Sequence, residues 1–227
     1  VKNDGDQLPL LGEAVFGVRF AASFLGHNDA DINAAVSKTL SEQQVLMGAG
    51  PTLLEGDFAK LFCESVPNAE SIQITTTGSE ATYHAIRIAR AVTKRNHIIV
   101  MQGGYNGWHN DVACNVISAL QDAGEYTNKG EYKFDSLSAG VPQDHSKLVH
   151  VVNYNDLDSV AYVMQKYEVA CILLEPLLQN IGVVKPVAGY LEGLRKLADE
   201  NGSLLIFDEV KTGFRHALGG YQSICGV

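Results

Sequence analysis

The sequence contains no apolar run approaching the roughly 18 residues that cross a bilayer, so no membrane-spanning helix is expected. Basic charge is also scarce: 17 Lys and Arg against 26 Asp and Glu give a formal net charge of −9. The few cations are scattered, which excludes nucleic acid as a partner, because phosphate backbones are bound by clustered Lys and Arg. Cysteine is limited to Cys63, Cys114, Cys171 and Cys225, with no CxxC or other metal-ligand spacing. That excludes a disulfide scaffold and reads as reduced thiols of an intracellular protein. Val1 to Gln7 is polar and acidic rather than signal-like, so the expected compartment is the cytoplasm, with an address ahead of Val1 left open. Neither GxGxxG nor GxxxxGK[ST] occurs, which argues against a nucleotide-binding domain.

What is present is 227 residues with 46% apolar content, enough for one large domain or two modest ones. An N-terminal segment with a first helix is expected over residues 1–45, and a larger domain over 46–227. From Asp29 the apolar positions Ile32, Ala35, Val36 and Leu40 have helical spacing, with Asp29 or Asn28 as cap. After Gly48–Pro51, the set Leu54, Phe58, Leu61 and Phe62 predicts a second helix, ended by Pro67-Asn68. Strands are expected at 71–75, 97–101, 148–152, 169–174 and 203–207, with helices at 79–92, 157–167 and 190–201. Gly202 supplies the left-handed residue that ends the last of these helices. Strands alternating with helices of ten or more residues imply an α/β fold with a largely parallel sheet. The polar stretch from Gln121 to Gln143 reads as a long loop over the carboxyl edge of that sheet.

Ligands of such sheets sit outside the carboxyl ends of the strands, and Thr77, Tyr105, Glu175 and Asp208 each follow an expected strand. Asp208 ends the apolar run Ser203 to Phe207, and a buried, unpaired carboxylate is costly unless it meets a cation. Gly78 and Ser79 open a helix, whose outward N–H groups form an anion site; the same residues, with Thr77 as cap and Glu80 at the third position, make an ordinary capping box. Tyr105 lies among Gly103, Gly104 and Gly107, so its ring can lie against a planar heterocycle. Glu175 is followed by Gln179-Asn180, amides able to reach a ligand, or is a strand-end charge in water. Val210 is available to the opposite face of a ring from Tyr105. Arg215 binds a substrate carboxylate or supports the following turn. His109-Asn110-Asp111 offers too few ligands for a metal and reads as surface hydrogen bonding.

Taken together, these blocks resemble a known family. Leu25-Gly26-His27-Asn28, Thr77-Gly78-Ser79-Glu80-Ala81, Gly104-Tyr105-Asn106-Gly107-Trp108, Glu175-Pro176 and Leu205-Ile206-Phe207-Asp208-Glu209-Val210-Lys211-Thr212-Gly213-Phe214-Arg215 are similar, in order, to class III pyridoxal-phosphate aminotransferases. The similarity is to the branch of glutamate-1-semialdehyde 2,1-aminomutase. It implies the fold-type I large domain, with the C-terminal small domain lacking, and a homodimer with active sites at the subunit interface. It further implies pyridoxal 5'-phosphate as cofactor, with Thr77, Gly78 and Ser79 at the phosphate, Tyr105 stacked on the ring and Asn106 beside it. Asp208 would pair with the ring nitrogen, Val210 would pack on the opposite face, and Glu175 would join the hydrogen-bond network. The implied reaction transfers an amino group from a small-molecule amino donor to a keto acid or aldehyde acceptor.

Two departures stand against the pattern. The family's cofactor-anchoring lysine lies further past Asp-Glu-Val than Val227, and no lysine present replaces it, so this piece alone is expected to be inactive. Asn106 stands where the aminomutase pattern has His. An intramolecular amino shift and a non-catalytic homologue acting as a binding module are the alternative expectations.

Overall fold

The computed structural model describes residues 25, 26, 28–43, 52–117 and 130–227. The chain divides into two compact units at the junction of Ile72 and Gln73. In the first unit, helix α1 (Ala30–Gln43) starts where the Asp29 carboxylate accepts the N–H groups of Asp31 and Ile32, both at 3.0 Å. Helix α2 (Leu53–Ser65) opens on a capping box between Thr52 and Glu55 and ends at Val66, just ahead of Pro67. His27, Gly48–Pro51 and Val1–Gln7 lie outside the described residues.

The second unit is a three-layer α/β structure. Its elements are helix α3 (Gly78–Thr93), strands β1 (His97–Met101), β2 (Glu131–Tyr132) and β3 (Val149–Val152), helix α4 (Leu157–Lys166), strand β4 (Val169–Leu174), helix α5 (Tyr190–Asn201), strand β5 (Leu204–Phe207) and a short helix α6 (Gln222–Cys225). The sheet order is β2-β3-β1-β4-β5. β1 pairs in parallel with β3 and β4, β4 pairs in parallel with β5, and β2 alone is antiparallel. The mostly parallel sheet expected from the strand–helix alternation is therefore what forms.

Sequence pattern explains the layers. β4, Val-Ala-Cys-Ile-Leu-Leu, is buried at every position, as a strand covered on both faces must be. On one face Ile99, Met101, Val152, Ile172 and Leu174 pack against Val160 and Val163 of α4 and Leu191 and Leu194 of α5. On the other, Ile98, Val100, Val151, Cys171 and Leu173 meet Ile86 and Ala89 of α3. Each fully buried Ile or Leu here contributes roughly 1.5–3 kcal/mol. Gly202 ends α5 at φ 62, donating its N–H to the carbonyls of Ala198 and Asp199, as its position after Asn201 predicts.

Three expectations are corrected. Residues 71–75 are extended but join no strand among the described residues; an alternating Ile-Gln-Ile run is not enough without a neighbour to bond. Residues 121–129 of the long polar stretch lie outside the described residues. The rest is not a plain loop, since Glu131–Tyr132 adds an antiparallel edge and Ser136 bridges Cys114. His109 and Asp111 are buried rather than at the surface, the latter because Arg90 holds both its oxygens at 2.9 Å.

Candidate functional site

β1 sits between β3 and β4, so the chain turns to opposite sides after it. This is the switch point at which parallel sheets leave a crevice beyond their strand ends. The turn after β1 carries Tyr105, the end of β4 carries Glu175 and the end of β5 carries Asp208. Glu175 ties the first two together. Its carboxylate, 3% exposed, accepts the Tyr105 N–H on Oε1 at 3.1 Å and the Gln179 N–H on Oε2 at 3.0 Å. Lys211 Nζ lies 3.8 Å from the same carboxylate. Burial raises the Glu175 pKa, and these donors and the lysine oppose the rise.

Asp208 is 8% exposed. Its backbone N–H bonds to the Leu174 carbonyl at 2.8 Å, continuing the β4–β5 ladder to the site. Oδ2 accepts from the Asn106 carboxamide at 2.8 Å and Oδ1 from the Val210 N–H at 3.0 Å. Burial lifts the Asp208 pKa above the ordinary carboxylate value, against the pull of Asn106, Val210 and Lys211. Both hydrogen-bond donors are neutral, which leaves the carboxylate suited to a cationic ligand.

The capping box at α3 forms as its sequence predicts. Thr77 Oγ1 accepts from Glu80 N at 3.2 Å, and Glu80 Oε2 accepts from Thr77 N at 2.9 Å. The box occupies Thr77 and Glu80 but leaves the N–H groups of Gly78 and Ser79 with no acceptor among the described residues, so cap and anion site coexist. Val210 is packed on this turn: a Cβ at Gly78 would lie 2.9 Å from Val210 Cγ2. Its side chain is otherwise open, at 52% exposure.

The Tyr105 turn and the start of α3 interlock. Gly107 has φ +127, and a Cβ there would stand 2.9 Å from Ser79 Oγ. Ser79 Oγ in turn accepts the Trp108 N–H at 3.3 Å. Gly103, at φ +83, faces Ile181 so closely that a Cβ would meet its Cδ1 at 2.8 Å. Tyr105 itself is exposed, at 39%.

The remaining candidates take other duties. Asn180 does not point its amide into open space; it donates to the carbonyls of Gly103 and Val116 and so braces the Tyr105 turn. Arg215 Nη1 donates to the carbonyls of Val210 and Gly213, which supports the turn after Asp208. Sequence reasoning missed Glu209. It accepts from Thr212 Oγ1, Tyr221 N and Gln222 N at 2.8, 2.5 and 3.1 Å, and so anchors the segment that follows Asp208. It missed Thr82 as well, whose hydroxyl bonds the Asn106 carbonyl at 2.6 Å. A Glu beside an Asp and a Thr inside a helix carry no pattern that sets them apart. Lys211 is the charge partner of Glu175. Among the described residues no group of three His, Cys, Asp or Glu side chains forms a metal site.

Residues 16–220 match the family model described as Aminotransferase class-III. A curated relative, glutamate-1-semialdehyde 2,1-aminomutase 2 of Geobacillus thermodenitrificans (strain NG80-2), is 42% identical over 205 residues, covering 88% of this chain and 45% of that protein. The crystal structure of an omega-transaminase from Sphaerobacter thermophilus superposes with a TM-score of 0.84 at 31% identity, covering 93% of this chain and 47% of that one. A transaminase solved with PLP bound gives a TM-score of 0.77 at 25% identity, covering 89% and 45% of the two chains. The chain thus spans about half the length of the proteins it matches.

Proposed function

The chain belongs to the class III aminotransferase family, and from that premise we propose that the protein binds pyridoxal 5'-phosphate in the crevice beyond β1, β4 and β5. It then transfers an amino group from a small-molecule amino donor to a keto acid or aldehyde. The observation that carries this reading is Asp208, a buried carboxylate with a neutral donor on each oxygen. When bound, the cofactor supplies a protonated pyridine ring able to take up the electron pair left when an amino compound loses its Cα proton. The residues present fit that group. Asp208 holds the ring nitrogen in its protonated form, the open N–H groups of Gly78 and Ser79 receive the phosphate, and Tyr105 and Val210 offer the two faces between which a flat ring is kept from water. Thr77 shapes the phosphate turn through its cap. Glu175 holds Tyr105 through its backbone, and Arg215, bonded to the Val210 carbonyl, is the cation offered to a substrate carboxylate.

An intramolecular amino shift is the second reading, favoured by the 42% identity to a curated aminomutase. The same proposal carries a homodimeric enzyme of the cytoplasm, with the cofactor-anchoring lysine supplied from outside these 227 residues. Among the described residues no helix is long and apolar enough to cross a membrane.

The test is an absorbance scan of the whole protein with pyridoxal phosphate, before and after borohydride. The expected result is a visible band that reduction abolishes while leaving the cofactor non-dialysable. A protein that takes up no cofactor refutes the proposal. Dependence of turnover on an added 2-oxo acid supports transamination; turnover without one supports the amino shift.

A further inference from the structure

Asn106 is 5% exposed and is held from two directions. Its backbone carbonyl accepts the Thr82 hydroxyl at 2.6 Å, and that hydroxyl lies 3.2 Å from His109 Nε2, itself buried. Its side chain donates to Asp208 Oδ2 at 2.8 Å. The other oxygen of Asp208 is bonded by Val210 N, two residues along the same turn, so that contact fixes the carboxylate only relative to its own backbone. Among the described residues the Asn106 carboxamide is the one side chain hydrogen-bonded to Asp208. It alone fixes the carboxylate relative to α3 and the Tyr105 turn. A carboxylate only accepts, which sets the amide nitrogen as the atom that faces it.

We propose that Asn106 is a positioning residue, a donor that cannot titrate and that aims the Asp208 carboxylate at a cationic ring while Thr82 locks the turn carrying it. The role rests on the functional reading given above and adds to it a residue that acts through Asp208 rather than on the cofactor. The resemblance has His at this position; here a neutral carboxamide keeps the orienting bond through the whole range in which imidazole changes charge.

Pyridoxal phosphate is titrated into the whole protein and its Asn106 and Thr82 variants, with uptake followed by tryptophan fluorescence and by the visible spectrum from about pH 6 to pH 9. Asn106→Leu loses a hydrogen bond to a charged group, and its affinity is expected to fall about tenfold to a hundredfold. Asn106→Asp sets a second carboxylate of equal size against Asp208. The two share a proton at the acid end and repel at the alkaline end, so its affinity is expected to fall with rising pH relative to the parent protein. Thr82→Val, which leaves the carboxamide in place, is expected to lose about threefold to tenfold. Circular dichroism checks the fold, and if Asn106→Asp does not fold, Asn106→Leu and Thr82→Val decide.

Parent-like affinity in Asn106→Leu or Asn106→Asp overturns the role, as does an Asn106→Asp loss that is the same at every pH. Failure of the parent protein to take up pyridoxal phosphate overturns the functional reading and this role with it. Uptake by the parent with unchanged variants overturns the role alone.

Discussion

Replacing Glu175 by alanine removes the acceptor of two backbone N–H groups, those of Tyr105 and Gln179, from a position only 3% exposed. A buried N–H left without an acceptor costs about 1–3 kcal/mol, so Glu175→Ala is expected to destabilise the cofactor-free protein by about 2–6 kcal/mol. Lys211 loses its partner in the same change, a smaller effect because the contact is 3.8 Å and the lysine side chain is part exposed. Glu175→Gln keeps the shape and one acceptor oxygen, and about 1–3 kcal/mol is expected. Burial raises the pKa of Glu175, which fixes the sign of the pH effect. The part of its contribution linked to proton uptake is fully present below its unfolded pKa and is lost as pH rises through the folded value, so the parent's advantage over Glu175→Gln widens on acidification from neutral pH. Equilibrium urea unfolding of the three proteins at several pH values measures this, and hydrogen exchange at the Tyr105 and Gln179 amides locates it. A Glu175→Ala protein within about 0.5 kcal/mol of the parent, or with unchanged exchange at those amides, refutes the bracket.

Arg90→Met leaves the buried Asp111 carboxylate with only His145, 3.4 Å away, as an ion-pair partner and is expected to cost about 3–5 kcal/mol in urea unfolding, against much less for the exposed pair Arg195–Asp199. Because Asp208 has a raised pKa, pyridoxal phosphate is expected to bind more weakly as acidification protonates that carboxyl, and Asp208→Asn to show neither the affinity nor that pH dependence; dialysis titrations test both. Burial pushes the thiols of Cys114 and Cys171 up to about 12, so neither is expected to react with a maleimide at pH 8 until the protein unfolds, as mass spectrometry would show. Val183 sits at φ 61, a conformation hostile to a β-branched side chain, and Val183→Gly is expected to stabilise by about 1 kcal/mol in a thermal melt.

Local rules account for much of what was legible beforehand. β4 was readable because six apolar residues between turn signals have few other fates, and α5 because its spacing and Gly202 mark both ends. Asp208, Tyr105 and Glu175 stood out because strand ends and glycine turns are where such folds place ligands. Residues 71–75 were misread because strand formation depends on a neighbour the sequence does not announce. Asn106, Thr82 and Glu209 owe their duties to contacts spanning 102, 24 and 12 residues, and no window of local sequence encodes these. The burial of His109 and Asp111 was missed for the same reason, since Arg90 lies 21 residues before its partner.

β5 pairs with one neighbour only among the described residues, and Asp208 begins where that pairing ends. A ligand gripped by Asp208 on one side and by the start of α3 on the other would rivet that margin in place, because whatever binds only the folded form favours it by mass action. Occupancy and local order then reinforce each other, so loss of the ligand should be felt as loosening of the strand end that carries Asp208 and of the first turn of α3.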